Sequence, residues 1–221
     1  PKTVLNALHS IQNVKRANSI TSLLAHQSVK CLDIGTGTGY LPIILRFIGA
    51  EEVWALDLNR NVTRWISTFG VKTHCAEIQT LDENNFHFIF IHHVLEHIPN
   101  PVSFLLEIHS RLSDKGLLHI YIPNDSSFMS SIKSFASKLG LKTKKYKHLD
   151  VGHHLFYFSP TSLCKLLETA GFKIELCRTL RNFKKDSAFS RMFYWLLEKF
   201  NLAPAIEVVA SRRPKTRVVM T

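Results

Sequence analysis

Residues 31–40 read CLDIGTGTGY. An apolar run from Val29 to Ile34, broken only by Lys30, stops at Gly35, Gly37 and Gly39, and a helical apolar pattern starts at Leu41. That order predicts a strand, a tight turn and a helix. Glycines at these positions let the backbone take positive φ and approach a ligand closely. The ligand would sit beyond the carboxyl end of a first parallel strand. The spacing is G-x-G-x-G, whereas a dinucleotide turn is G-x-G-x-x-G, so an NAD(P)-dependent oxidoreductase is not supported. Asp33, two residues ahead of Gly35, would repel a diphosphate but can pair with an ammonium group. A glycine turn with no ligand would satisfy the same pattern.

The chain of 221 residues, 45% hydrophobic, is long enough for one α/β domain with a full core. Cys31, Cys75, Cys164 and Cys177 have no C-x-x-C spacing and read as small core residues of a reduced, cytoplasmic protein. No signal peptide and no apolar run of about 18 residues is present. The first residue is Pro1, as expected of a cut or processed start. The formal net charge of +11 implies attraction to an anionic partner, whether nucleic acid, acidic lipid or a phosphorylated substrate, without choosing among them.

Outward from the glycine turn, residues 1–28 carry a broken amphipathic pattern expected to form an N-terminal helical segment. Leu41 to Phe47 reads as the first crossover helix, with Pro42 tolerated in its opening turn. Glu52 to Leu58 reads as a second strand, buried on both faces, and it reaches Asp57 about 20 residues after the glycines. An acid there can accept both hydroxyls of a ribose, or it can cap the helix that follows. Further strands are expected at Val71–Ala76, Phe86–Ile91, Leu117–Ile122, Phe172–Cys177 and Ile206–Ala210. Helices are expected at Pro101–Leu112, ended by Lys115-Gly116, and at Thr161–Ala170.

D-I-G-T-G-T-G closely resembles motif I of the class I S-adenosyl-L-methionine (SAM) dependent methyltransferases. LEHIPNP, residues 95–101, resembles the segment after the fourth strand in the ubiquinone-pathway O-methyltransferases and their relatives, with Asn100 where an acid is common. The resemblance runs from about Val29 to Ala210. It implies a doubly wound, seven-stranded Rossmann-like sheet of order 3-2-1-4-5-7-6, the last strand antiparallel, over residues 29–212. A cap insertion at about 125–158 and a basic tail at 213–221 complete the expected organisation. It further implies that SAM is the cofactor, held by Asp33, Gly35, Thr36, Gly37 and Gly39, by Asp57 on the ribose, by Leu58 and Glu77 at the adenine, and by His92 and His93 after the fourth strand.

His93, Glu96 and His97 also spell H-x-x-E-H, an inverted metalloprotease motif. Pro99 opposes the long helix that motif needs, a protease would also need a separate third ligand, and the motif would have no reason to follow a glycine-turn strand. The spacing is similar to Glu/His clusters of some metal-assisted methyltransferases, but the reading adopted assigns no metal and treats the segment as a structural turn. In the insertion, the basic run from Lys142 to His148 precedes GHHLFYFSP. There Phe156, Tyr157 and Phe158 could line an acceptor pocket, and His148, His153 or His154 could supply a base, His153 being preferred.

The function expected is methyl transfer from SAM to a small-molecule, lipid or glycan acceptor, with oxygen favoured because LEHIPNP and the cap arrangement resemble small-molecule O-methyltransferases and the D/N-P-P-Y motif of amine-methylating relatives is absent. An RNA-modifying methyltransferase would use the positive charge, but the basic residues fall in separate loops, so nucleic acid is not favoured. A catalytically silent SAM-binding domain would keep the glycine turn alone. Residues 178–202, basic and then aromatic, could touch an anionic membrane surface, pack on the sheet or form a dimer contact. Oligomeric state is not legible.

Overall fold

The computed structural model describes residues 29–127, 154–180 and 195–213. The first strand, β1 (Lys30–Ile34), leads through the glycine turn into helix α1 (Tyr40–Phe47). Strand β2 (Glu52–Leu56), helix α2 (Arg60–Ser67) and the short edge strand β3 (Lys72–His74) follow. A 3-10 turn at Ile78–Thr80 leads to β4 (Phe86–His92), and a second at Leu95–His97 leads to α3 (Pro101–Arg111). Then come β5 (Leu112–Pro123), α4 (Pro160–Thr169), β6 (Phe172–Leu180) and β7 (Ala205–Arg212).

These strands make one seven-stranded sheet of order β3-β2-β1-β4-β5-β7-β6. Strands β1 to β5 pair in parallel, and β7 runs antiparallel to both β5 and β6. The doubly wound order and the antiparallel last strand are as expected from the sequence. The order reverses between β1 and β4, and ligands of open α/β sheets bind at the carboxyl ends of strands at such a point.

Alternation along the strands fills two cores, because successive side chains point to opposite faces. On one face Leu32, Ile34, Ile89, Ile91, Leu118, Ile120, Ile206 and Val208 pack with Leu105, Ile108, Leu163 and Leu167 of α3 and α4. On the other, Cys31, Val53, Ala55 and Phe90 pack with Ile43, Leu45 and Ile66 of α1 and α2. Fully burying one such side chain is worth about 1.5–3 kcal/mol.

Local sequence sets the boundaries. Asn59 caps α2 by accepting from the Asn61 N–H. Asn100 caps α3 with Pro101 in the first turn, and Ser159 and Ser162 form a capping box on α4 with Pro160 at its start. One boundary differs from the pattern in sequence: α3 ends at Arg111, and β5 begins at once with Leu112 rather than after Gly116. Leu112 pairs with Phe86, and the register then shifts so that Leu117 pairs with Phe88. At Gly116 a Cβ would lie 2.7 Å from the Phe86 carbonyl oxygen, so a side chain there would force the strands apart.

Candidate cofactor site and its surroundings

The site is built at the carboxyl ends of β1, β2 and β4. Gly35, at φ +67, leaves β1 in the left-handed region, and its N–H donates to the Leu56 carbonyl at 2.7 Å. A Cβ at Gly35 would stand 2.4 Å from Val94 Cγ2, so the loop after β4 presses directly on this glycine. Gly37, at φ +54, is the reverse case: among the described residues beyond its chain neighbours, no atom lies within 4 Å of where its Cβ would be. The turn is therefore clamped at its base and open at its tip, where a ligand can reach the backbone. The Gly39 N–H closes the turn onto the Thr36 carbonyl at 2.8 Å. Thr36 is buried, and its hydroxyl has no partner among the described residues.

Asp57 braces the turn from the neighbouring strand. Its Oδ2 accepts from the Gly37 N–H at 3.0 Å and its Oδ1 from the Asn59 N–H at 2.9 Å. Leu58 beside it is 71% exposed, an apolar side chain standing in the open at the edge of the sheet. Glu77 is exposed just ahead of the first 3-10 turn, and the exposed Cys75 points its thiol at the Leu58 carbonyl at 3.6 Å. The expectation of four core thiols is thus corrected: Cys31 is buried, Cys164 and Cys177 are half-buried and Cys75 is exposed, because β3 is an edge strand and Cys75 lies past its end.

Asp33 is only 3% exposed. Burial first, and then the charge of Asp57, push its carboxyl well above the usual carboxylate range. A cation arriving beside it would reverse that penalty. Cys31, two residues earlier, has its thiol pushed up by burial to about 12.

At the end of β4, His92 and His93 go different ways. His92 Nε2 lies 2.7 Å from His119 Nδ1, His119 Nε2 lies 3.0 Å from Glu207 Oε1, and Arg178 Nε donates to Glu207 Oε2 at 2.6 Å. This polar row crosses β4, β5, β7 and β6 on one face of the sheet. Burial pushes the Glu207 carboxyl up, but the hydrogen bonds and charges of His119 and Arg178 outweigh it and hold Glu207 at about 2. The row escaped sequence reading because its members lie on four separate strands, and only the observed register aligns them. His93 is one of three non-glycine residues with positive φ among the described residues, at +56. That conformation stands its ring edge-on to Tyr121 and places Nδ1 3.5 Å from Glu96 Oε1.

The 3-10 turn Leu95–His97 receives the last residues of the insertion. Leu155 and Phe156 N–H groups both donate to the Glu96 carbonyl, at 2.8 and 3.1 Å. This docking brings His154 edge-on to His97, with ring centroids 5.0 Å apart. Phe156 and Tyr157 are exposed and Phe158 is buried in the core, so of the three expected pocket aromatics one serves packing. His148 and His153, the N-terminal segment and nearly all of the basic tail lie outside the described residues. Residues 178–202 are described in part, and there Trp195, Leu196 and Phe200 are exposed. No helix among the described residues is long and apolar enough to cross a membrane.

Comparison with known proteins agrees with this geometry. The sequence model of a family described as a methyltransferase domain matches residues 8–176. No curated protein matches the chain. Among solved structures, the fold is similar to a SAM-dependent methyltransferase of Thermotoga maritima, a possible histamine N-methyltransferase, at TM-score 0.61 and 16% identity over 93% of this chain and 91% of that one. It is also similar to SAM-dependent methyltransferases of Mesorhizobium loti (TM-score 0.59, 16% identity, 89% of this chain and 98% of that one) and Archaeoglobus fulgidus (TM-score 0.59, 17% identity, 90% and 94%). A motif-I glycine turn braced by an acid from β2, in a sheet of this order, and a family match over most of the length lead to one conclusion: the chain belongs to the SAM-dependent methyltransferases.

Proposed function

We propose that the protein transfers the SAM methyl group to an oxygen of a small-molecule, lipid or glycan acceptor. The observation that carries this reading is the gathering of His93, His97 and His154 at the carboxyl end of β4, where amine-methylating relatives place a D/N-P-P-Y motif. Clustered imidazoles suit acceptors that must lose a proton, as a hydroxyl must.

In this reading the open tip at Gly37 admits the methionine part of SAM, with Asp33 beneath it and Gly35, Thr36 and Gly39 shaping the turn. Asp57 takes the ribose hydroxyls, its oxygens each having capacity beyond the one backbone amide they bind. Leu58 lies on the adenine and Glu77 reaches its amino group, while His92 and His93 close the site from β4. The acceptor oxygen attacks the methyl carbon in line with the sulfonium, the sulfur–carbon bond breaks to leave S-adenosylhomocysteine, and the acceptor proton passes to His153. Most of the acceleration comes from holding the oxygen against the methyl group with water excluded. In the same reading the protein is cytoplasmic, and the exposed Trp195, Leu196 and Phe200 support its meeting an amphipathic acceptor at an anionic lipid surface.

The test is S-adenosylhomocysteine release from SAM across hydroxylated lipids, quinone precursors and glycans, with calorimetric SAM binding in parallel. His153→Ala should lower kcat roughly 10²–10⁴-fold with SAM affinity unchanged. SAM binding without turnover on any acceptor class would reduce the protein to a cofactor-binding domain.

A further inference from the structure

Glu96 is 2% exposed, and among the described residues neither of its carboxylate oxygens has a hydrogen-bond partner. A buried carboxylate in that state is costly, by several kcal/mol in general, unless a cation compensates it. Among the described residues, His93 stands 3.5 Å away with its ring exposed and is no hydrogen-bonding partner. Two other imidazoles converge on the same carboxylate: ligand atoms of Glu96, His97 and His154 all lie within 4.8 Å of one another. Around a tetrahedral ion at about 2.0–2.2 Å the ligand atoms stand roughly 3–4 Å apart, so a small contraction closes the set.

We infer that Glu96, His97 and His154 form a binding site for a divalent first-row transition ion, with Zn²⁺ as the reference occupant. Two imidazole nitrogens and one carboxylate oxygen select borderline ions over Mg²⁺ and Ca²⁺, which prefer all-oxygen sets. Three protein ligands leave a coordination position open for water or a ligand oxygen. The buried Glu96 supplies the charge that the ion neutralises, and the ion supplies the partner that Glu96 lacks.

The topology adds a second consequence. Glu96 and His97 belong to the turn after β4, whereas His154 belongs to the end of the insertion, held there by the Leu155 and Phe156 amides on the Glu96 carbonyl. The ion therefore clasps the insertion to the sheet edge beside the cofactor turn. The turn alone, His93-x-x-Glu96-His97, misidentifies the set. His93 turns toward Tyr121 in its left-handed conformation, and His154, 57 positions after His97, takes the third place.

The test uses the full chain after chelation and dialysis. Titration with Zn²⁺ should show one high-affinity equivalent, a rise in melting temperature, and, with Co²⁺, a visible absorption band of nitrogen and oxygen ligation. Glu96→Gln, close in shape, and His154→Ala, at a half-exposed position, should each weaken binding by more than about tenfold at unchanged circular dichroism. If Glu96→Gln fails to fold, His154→Ala carries the comparison. No stoichiometric binding, or wild-type affinity in His154→Ala, would overturn the inference. SAM titration of the chelated protein separates the two readings: SAM binding without metal binding defeats only the metal site, and metal binding without SAM binding upholds it while defeating the cofactor assignment.

Discussion

The Gly37 N–H donates to Asp57 Oδ2 at 3.0 Å, which fastens the tip of the glycine turn after β1 to the end of β2. The two residues are 20 positions apart, and the bond makes Asp57 both a strut of the turn and the acid facing its open side. Asp57→Ala removes the acceptor for two backbone amides, those of Gly37 and Asn59. We expect SAM affinity to fall at least tenfold, with a stability loss of only about 1 kcal/mol because both amides can turn to water. Calorimetry and urea unfolding measure the two effects, and an unchanged SAM affinity would remove Asp57 from the site.

Gly35 and Val94 make a second, steric test of the same architecture. Gly35→Ala places a methyl group 2.4 Å from Val94 Cγ2 at a φ of +67. The left-handed conformation costs an L-residue about 1–2 kcal/mol, and overpacking adds about 1–3 kcal/mol. Adding Val94→Ala should return the overpacking part and leave the conformational part. If the double variant is no more stable than Gly35→Ala in urea, the clash is not the cause.

The fold was largely legible because its signals are local. The glycine turn and the apolar strands each declare themselves within about ten residues. Asp57 could be placed by its distance from the glycines. What the sequence hid depends on register. His92, His119, Glu207 and Arg178 become neighbours only when β4, β5, β7 and β6 are laid side by side, and His154 meets Glu96 only when the insertion docks back on the turn. The start of β5 was hidden for a different reason: Leu112–Lys115 has a polar, turn-like composition, and it becomes strand because Leu112 can pair with Phe86 around the close approach at Gly116.

The Glu207 row predicts a dependence of stability on pH. Glu207 is 4% exposed, and its carboxyl is lowered from 4.5 to about 2 once His119 and Arg178 have offset the cost of burial. A lowered carboxyl contributes stability that is complete above its unfolded value and is lost as pH falls from 4.5 toward 2. The full linkage is about 3 kcal/mol, of which about 2 kcal/mol disappears between pH 7 and pH 3. Urea unfolding at those two pH values should therefore show the wild type losing about 2 kcal/mol more than Glu207→Gln. Equal losses would mean that Glu207 is not held as an ion in the native state.

Asp33, whose carboxyl is shifted the other way, predicts a pH dependence in cofactor binding. Burial, with the charge of Asp57 added, raises its carboxyl, so the free protein holds a proton there at pH values where an ordinary aspartate is ionised. The ammonium group of SAM favours the ionised form, so binding must release that proton. Affinity should then increase as pH rises through the raised value of Asp33, and flatten above it. Calorimetry in two buffers of different ionisation enthalpy measures the release directly. In Asp33→Asn, which keeps the shape and has no proton to give, the buffer dependence should vanish and SAM affinity should fall. Buffer-independent heats in the wild type would show that binding releases no proton at Asp33 and would defeat the prediction.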